Sequence, residues 1–277
     1  MKIDFKTQQA SDGSIKYRFK THDNQYIEAL YFLYNGGLKV LCLSTQIGCD
    51  MKCAFCHTGK FQKKRHLTQD EIVSQAFLIV NDILPNDKPD TITLAGMGEP
   101  LANYQSSLGA LEYFRKIYGN IRLSLSTVGL VEGIKKMIEE KKSFGIYLSL
   151  HASDDKTRKK IIPVAKNNPI QSLILLLTEY SKFNEQGLVR ISYLLLDNIN
   201  DSDEHLKNLI DLVKDKNFIV QLRILNPVKN LPIQKSSQHK LEKWLTKLLE
   251  NNIKAVVRPS MGIEINGACG QLYEEKQ

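Results

Sequence analysis

The stretch Lys39-Val40-Leu41-Cys42-Leu43-Ser44-Thr45-Gln46-Ile47-Gly48-Cys49-Asp50-Met51-Lys52-Cys53-Ala54-Phe55-Cys56 joins two signals. Lys39–Thr45 is a short apolar run, the pattern of a buried strand. The loop after it carries Cys49, Cys53 and Cys56 in C-x3-C-x2-C spacing. Three thiols on one loop, with no obvious fourth nearby, are wrong for a closed structural zinc site, which takes four ligands. They suit an iron–sulfur cluster with one iron left open. The alternative is zinc completed by His57 or another residue.

An open iron can chelate the amino and carboxylate groups of S-adenosylmethionine. An electron from the cluster then cleaves the sulfonium and yields a 5′-deoxyadenosyl radical. Phe55 reads both as core and as a lid on the adenine. The chain has five cysteines. An odd count without an export signal argues against a disulfide scaffold and for metal or redox chemistry. Of the remaining two, Cys42 lies in an apolar strand, where a thiol is usually core. Cys269 lies between Gly267 and Gly270, in what reads as a mobile loop.

Outward from this stretch, short β-branched runs recur at Thr91–Ala95, Ile121–Thr127, Gly145–Leu150, Leu188–Leu196, Phe218–Leu225 and Lys254–Val257. Amphipathic runs alternate with them at Thr68–Leu84, Gln105–Tyr118, Val131–Glu140, Ile170–Asn184, Asp203–Lys214 and Gln238–Glu250. Thr68, three residues before Glu71, and Ser202, before an acidic turn, are helix-start signals. Strand alternating with helix means parallel pairing and right-handed crossovers. The expected class is α/β, a parallel partial (β/α)6-type barrel, with a doubly wound sheet as the competing architecture. Before it, Asp12-Gly13 is a turn between Phe5–Gln9 and Ile15–Lys20, and Asn35-Gly36-Gly37 is another. The expected division is an N-terminal β extension over residues 1–38 and a core over 39–277 that ends in the Cys269 loop.

In such folds ligands gather at the C-terminal ends of the strands. The unusual residues fall there. Gly96-Met97-Gly98-Glu99-Pro100 follows one strand, Ser126 ends the next, and Ser149-Leu150-His151 ends the fourth. Asn226-Pro227 and Gly267-Ala268-Cys269-Gly270 follow later ones. Taken singly, a Gly-x-Gly-Glu run is a turn, a strand-end serine bonds backbone, and Asn before Pro is a turn residue.

Taken in order, Cys42, the three-cysteine loop, Gly-Met-Gly-Glu-Pro, Leu125-Ser126-Thr127, Ser149-Leu150-His151-Ala152, Asn226-Pro227 and Ala268-Cys269-Gly270-Gln271-Leu272 resemble the RlmN/Cfr family of the radical S-adenosylmethionine superfamily. The likeness runs from about Ser11 to Leu272. It implies the radical S-adenosylmethionine fold and methylation of C2 or C8 of an adenosine in ribosomal or transfer RNA. The implied cofactors are a [4Fe-4S] cluster on Cys49, Cys53 and Cys56 and S-adenosylmethionine on Gly98, Glu99, Ser126, Ser149, Leu150, His151 and Asn226. A flavodoxin- or ferredoxin-type electron donor and a monomeric enzyme follow from the same likeness.

By resemblance, Cys269 takes a methyl group from one S-adenosylmethionine. The radical from a second removes hydrogen from that methyl, which adds to the electron-poor ring carbon. Glu28, before the first lone cysteine, is the implied base for the ring proton, against a reading as a surface strand glutamate. Cys42 then attacks Cys269 sulfur, frees the RNA and leaves a disulfide.

The sequence has 277 residues, 42% hydrophobic and 25% charged, an ordinary globular composition that excludes a disordered chain. No apolar run is long enough to span a membrane and no leader is visible, so the expected location is the cytoplasm. A net charge of +8 favours polyanions, nucleic acid first. The resemblance implies an additional N-terminal helical domain in the family, and the expectation is a compact form without it. RNA contacts are therefore expected from Lys52–His66 (Lys52, Lys60, Lys63, Lys64, Arg65) and Lys156–Lys166 (Lys156, Arg158, Lys159, Lys160, Lys166), both without acids. Two rivals stay open: the same chemistry on a non-RNA heterocycle, and a non-catalytic RNA-binding protein with a vestigial metal site.

Overall fold

From Leu38 onward strands and helices alternate, as the hydrophobic pattern requires. The computed structural model of the chain describes residues 1–34, 36–184, 189–228 and 231–272. Asn35 of one expected turn and Leu188 of one expected strand lie outside the described residues. Two compact units form. The first holds Met1–Asp50, Cys56–Ser126 and the segment from Ser260, the second Met51–Phe55 and Thr127–Pro259.

The first unit opens with four strands, β1 (Lys2–Lys6), β2 (Ile15–Lys20), β3 (Tyr26–Tyr34) and β4 (Leu38–Leu43), paired antiparallel in that order. Two short strands follow, β5 (Gln46–Ile47) and β6 (Arg65–His66), paired with each other. Helix α1 (Gln69–Ile83), strand β7 (Thr91–Leu94), helix α2 (Tyr104–Tyr118) and strand β8 (Arg122–Thr127) complete it. β7 lies parallel to β4, and β8 parallel to β7. The Thr68 hydroxyl accepts from the Glu71 amide and the Glu71 carboxylate from the Thr68 amide, the capping box read from the sequence. α1 buries Ile72, Val73, Ala76, Ile79 and Val80, one stripe at helical spacing.

The second unit runs α3 (Val131–Glu139), β9 (Gly145–Ser149), α4 (Asp155–Ile161), α5 (Ile170–Tyr180), β10 (Val189–Leu195), α6 (Asp203–Val213), β11 (Phe218–Ile224), α7 (Gln238–Glu250) and β12 (Ala255–Val257). Its four strands pair in parallel in chain order. Trp244 of α7 is fully buried against Tyr193 of β10, ring centroids 5.0 Å apart.

The α/β class with parallel pairing and helical crossovers is thus the fold. Three local expectations change. The first strand is Lys2–Lys6 rather than Phe5–Gln9, with its register broken between Ile3 and Phe5. β3 has no range in the sequence pattern, although Glu28 reads there as a strand residue. It is buried along most of its length and paired on both sides, so it lacks the alternation that marks a half-exposed strand. α4 is seven residues of mostly charged sequence, too short to show a period. No described helix is long and apolar enough to cross a membrane.

Candidate active site

In the first unit, the chain after β7 is pressed against the chain between β4 and β5. A Cβ on Gly96 would lie 2.6 Å from Ser44 Oγ, and one on Gly98 2.6 Å from the Gln46 Cβ. Gly98 also has φ +101°, a conformation that favours glycine. The intervening Met97 amide donates to Ser44 Oγ (2.7 Å), and its carbonyl accepts from the Thr45 amide (2.8 Å). Glu99 is buried. Its amide donates to Gln46 Oε1 (2.9 Å) and its Oε1 accepts from the Leu101 amide (3.0 Å), capping the short turn Pro100–Asn103. Ser126 is half-buried at the end of β8.

Glu28 of β3 is buried at 5% exposure, so it is not a surface strand glutamate. Its Oε1 is 3.0 Å from Lys16 Nζ. Its carbonyl accepts from Ser44 Oγ and its amide contacts Met97 Sδ at 3.3 Å. Two residues on, and so on the same sheet face, Leu30 pairs with Cys42 of β4. Cys42 is buried in an apolar cluster with Leu30, Phe32 and Val40, on which Met261 and Ile265 of the C-terminal segment pack.

That segment is fastened along its length. Asp12 Oδ2 accepts from the Gly262 amide (2.7 Å), and the Glu264 carboxylate accepts from Ser11 Oγ (2.5 Å). A Cβ on Gly267 would lie 2.5 Å from Leu30 Cδ1. The His57 amide donates to the Gly270 carbonyl (2.7 Å), and Thr58 Oγ1 donates to the Leu272 carbonyl. Cys269 is the exposed tip, between buried Ala268 and Gln271, which close the turn by two bonds. The sequence suggested a mobile loop; the structure supplies a clasped one. Burial pushes the Cys56 thiol pKa up, and the charge of Cys269 adds to the rise. No disulfide links Cys42 and Cys269 among the described residues, so the expected bridge is not supported by this structure.

In the second unit, His151 follows β9 with φ +53° and is buried. Its Nδ1 accepts from the Leu194 amide (3.0 Å), which puts the ring proton on Nε2. Burial, with Arg223 and Arg158 adding to it, lowers its pKa to about 3, so the imidazole is neutral. Phe55 meets it edge-on at 4.9 Å. The Leu150 side chain is fully buried, its amide donates to the Ser192 carbonyl (3.1 Å) and its carbonyl accepts from Arg158 Nε (3.0 Å). Ser149 is half-buried opposite Ser192, and Asn226 is buried after β11.

The basic runs are sorted by their partners. Arg158 is not a phosphate contact. It is fully buried and donates to the carbonyls of Leu150, Ser149, Val128 and Asn168. Lys156, Lys159, Lys160 and Lys166 are exposed. Arg65 is held by Asp23 and Glu71 at 2.7–2.8 Å. Sequence reasoning missed Ser44, Gln46 and the inward role of Arg158. A buried arginine on a short helix looks like any other charge in a Lys-rich run.

Three thiols spaced along one loop fit the three-cysteine donor set of an open iron–sulfur cluster. Among the described residues no three His, Cys, Asp or Glu side chains gather as a single-ion site needs. Within the second unit, Met51, Cys53 and Phe55 pack on the core of Val128, Ile161 and Leu194, and the Ala54 amide donates to the Ile161 carbonyl (2.8 Å).

The radical SAM superfamily model matches residues 43–213. The dual-specificity RNA methyltransferase RlmN of Halorhodospira halophila is 32% identical over 97% of this chain and 75% of its own length. A probable dual-specificity RNA methyltransferase RlmN of Malacoplasma penetrans is 34% identical over 96% and 76%. A crystal structure of a radical SAM methyltransferase from Sphaerobacter thermophilus matches with a TM-score of 0.90 and 32% identity, over 98% of this chain and 80% of that one. Streptococcus suis SuiB bound to S-adenosylmethionine shares the fold at a TM-score of 0.60 and 16% identity, over 82% of this chain and 53% of that one. The chain spans about three quarters of the length of the curated relatives.

Proposed function

Since the chain belongs to the RlmN-type family of radical S-adenosylmethionine RNA methyltransferases, we propose that it methylates C2 or C8 of an adenosine in ribosomal or transfer RNA, through an S-methylcysteine on Cys269 and a transient protein–RNA adduct. A [4Fe-4S] cluster and S-adenosylmethionine are the cofactors of this family. Bound together they supply a methyl group and a 5′-deoxyadenosyl radical. Cys49, Cys53 and Cys56 would hold the cluster. Gly98, Glu99, Ser126, Ser149, Leu150, His151 and Asn226 would hold S-adenosylmethionine, Leu150 by its position between two contacting residues. Electrons would come from a flavodoxin- or ferredoxin-type donor.

The protein's own residues do the rest. Cys269 carries the methyl group as a thioether and presents it from the exposed tip of a clasped turn. Glu28 takes the ring proton once the carbon is bonded, its carboxylate steadied by Lys16. Cys42 attacks the Cys269 sulfur as a thiolate, the carbon–sulfur bond breaks, its electron pair and a proton complete the methyl group on the ring, and the resulting disulfide must take two electrons from an external reductant before the next turnover.

The observation that carries this reading is the C-terminal turn within the first unit. It packs on Leu30, the strand partner of Cys42, and bonds to His57, the neighbour of Cys56. The test is mass spectrometry of Cys269 in Cys42→Ala. An attached RNA fragment is expected, and the linked ring carbon decides between C2 and C8. A methyl group alone would remove RNA from the reading. A bare thiol would overturn the scheme.

A further inference from the structure

We propose that the cavity walled by Phe61–Lys64 holds one unstacked nucleotide of the RNA, its base against Phe61 and its phosphate on Lys63 and Lys64; this rests on the RNA-methylase reading. The cavity is about 720 Å³, and Ile47, Met97, Phe61, Gln62, Lys63 and Lys64 line it. That volume lies within the range of small-molecule sites. Ile47 and Met97 are buried and give it an apolar floor. Phe61 is 39% exposed, an aromatic face left beside two lysines.

The wall is held in place. A Cβ on Gly48 would lie 2.6 Å from the Gln62 carbonyl oxygen, so the segment lies directly on the end of β5. The Phe61 ring is tilted against His57 at 5.5 Å. Lys63 Nζ is 3.2 Å from Asp50 in an exposed ion pair, a contact of little net worth that a phosphate can replace. Lys64 Nζ donates to Gln25 Oε1. Their neighbour Arg65 is held by Asp23 and Glu71. An aromatic face with adjacent ammonium groups is the pattern that binds single-stranded nucleic acid: the ring stacks on a base and the lysines take the backbone. Met97 Sδ also touches the backbone amide of Glu28.

The test titrates the anaerobic, iron-loaded protein with a fluorescein-labelled RNA stem–loop that has an adenosine in its loop. Phe61→Ala should weaken binding about tenfold, the scale of one lost stack. The double variant Lys63→Ala, Lys64→Ala should lower the slope of log affinity against log salt by about 1.4. In Phe61→Trp, RNA should quench the introduced indole beyond the change seen with native Trp244. Unchanged affinity, slope and fluorescence, with wild type still binding RNA, would overturn the cavity assignment alone. So would variants that change S-adenosylmethionine affinity and leave RNA affinity intact. A wild type without RNA affinity would overturn the substrate reading and the assignment with it.

Discussion

The His57 amide donates to the Gly270 carbonyl at 2.7 Å, so the residues that follow Cys56 and Cys269 are bonded to each other. Thr58 Oγ1, on the Leu272 carbonyl, makes a second clasp one residue farther on the first strand of contact and two on the other. The place of Cys269 is therefore set by backbone contacts of its neighbours. Cys269 itself is exposed.

Cys269→Ala should accordingly fold, keep its iron and still cleave S-adenosylmethionine without coupling, while RNA methylation is lost. Anaerobic assays that count 5′-deoxyadenosine and methylated adenosine separately check this. Loss of cleavage as well would give Cys269 a structural role that its exposure argues against.

Gly267→Ala tests the clasp rather than the thiol. The added methyl would meet Leu30 Cδ1 at 2.5 Å, and Leu30 sits across from Cys42. Overpacking of this kind costs about 1–3 kcal/mol. The turn should lift from β3, and methylation should fall more than uncoupled cleavage does. Equal losses in both would mean that the turn does not set Cys269 against Cys42.

Glu28→Gln keeps the shape of the side chain and removes the proposed base. Turnover should drop by about 10²–10⁴, the usual worth of a positioned base. Protein linked to RNA should accumulate with the ring proton still present, seen by mass spectrometry with a deuterated adenosine. Wild-type turnover in this variant would return Glu28 to a structural role with Lys16.

Much of the fold and of this candidate site is written in local sequence patterns. The cysteine spacing lies in one loop, and Thr68 with Glu71 announces α1 within four residues. What was not legible depends on contacts between distant segments. Glu28, the implied base, carries a surface-strand reading beside it, and only its burial in the folded protein removes that alternative. Arg158 reads as one charge in a basic run, but four carbonyl oxygens surround its guanidinium. Glycine spacing alone says only that a turn is near; Ser44 and Gln46, packed against Gly96 and Gly98, give the reason for those glycines.

His151 offers the sharpest pH test. Burial first, then the charges of Arg223 and Arg158, holds its pKa at about 3, below the ordinary 6.5. Between those values the unfolded chain takes a proton that the native imidazole refuses. Stability from this group is therefore full above pH 6.5 and falls as pH drops toward 3, by about 1.4 kcal/mol per unit. From pH 7.5 to 5.0 the loss should be about 2 kcal/mol. His151→Asn should remove it. Asparagine tolerates φ +53°, and its Oδ1 replaces Nδ1 as acceptor for the Leu194 amide. Urea unfolding of the iron-loaded protein at the two pH values, under argon, compares them. An identical acid loss in both proteins would mean that His151 takes its proton in the native state, and that the neutral, Nε2-protonated ring assigned here is wrong.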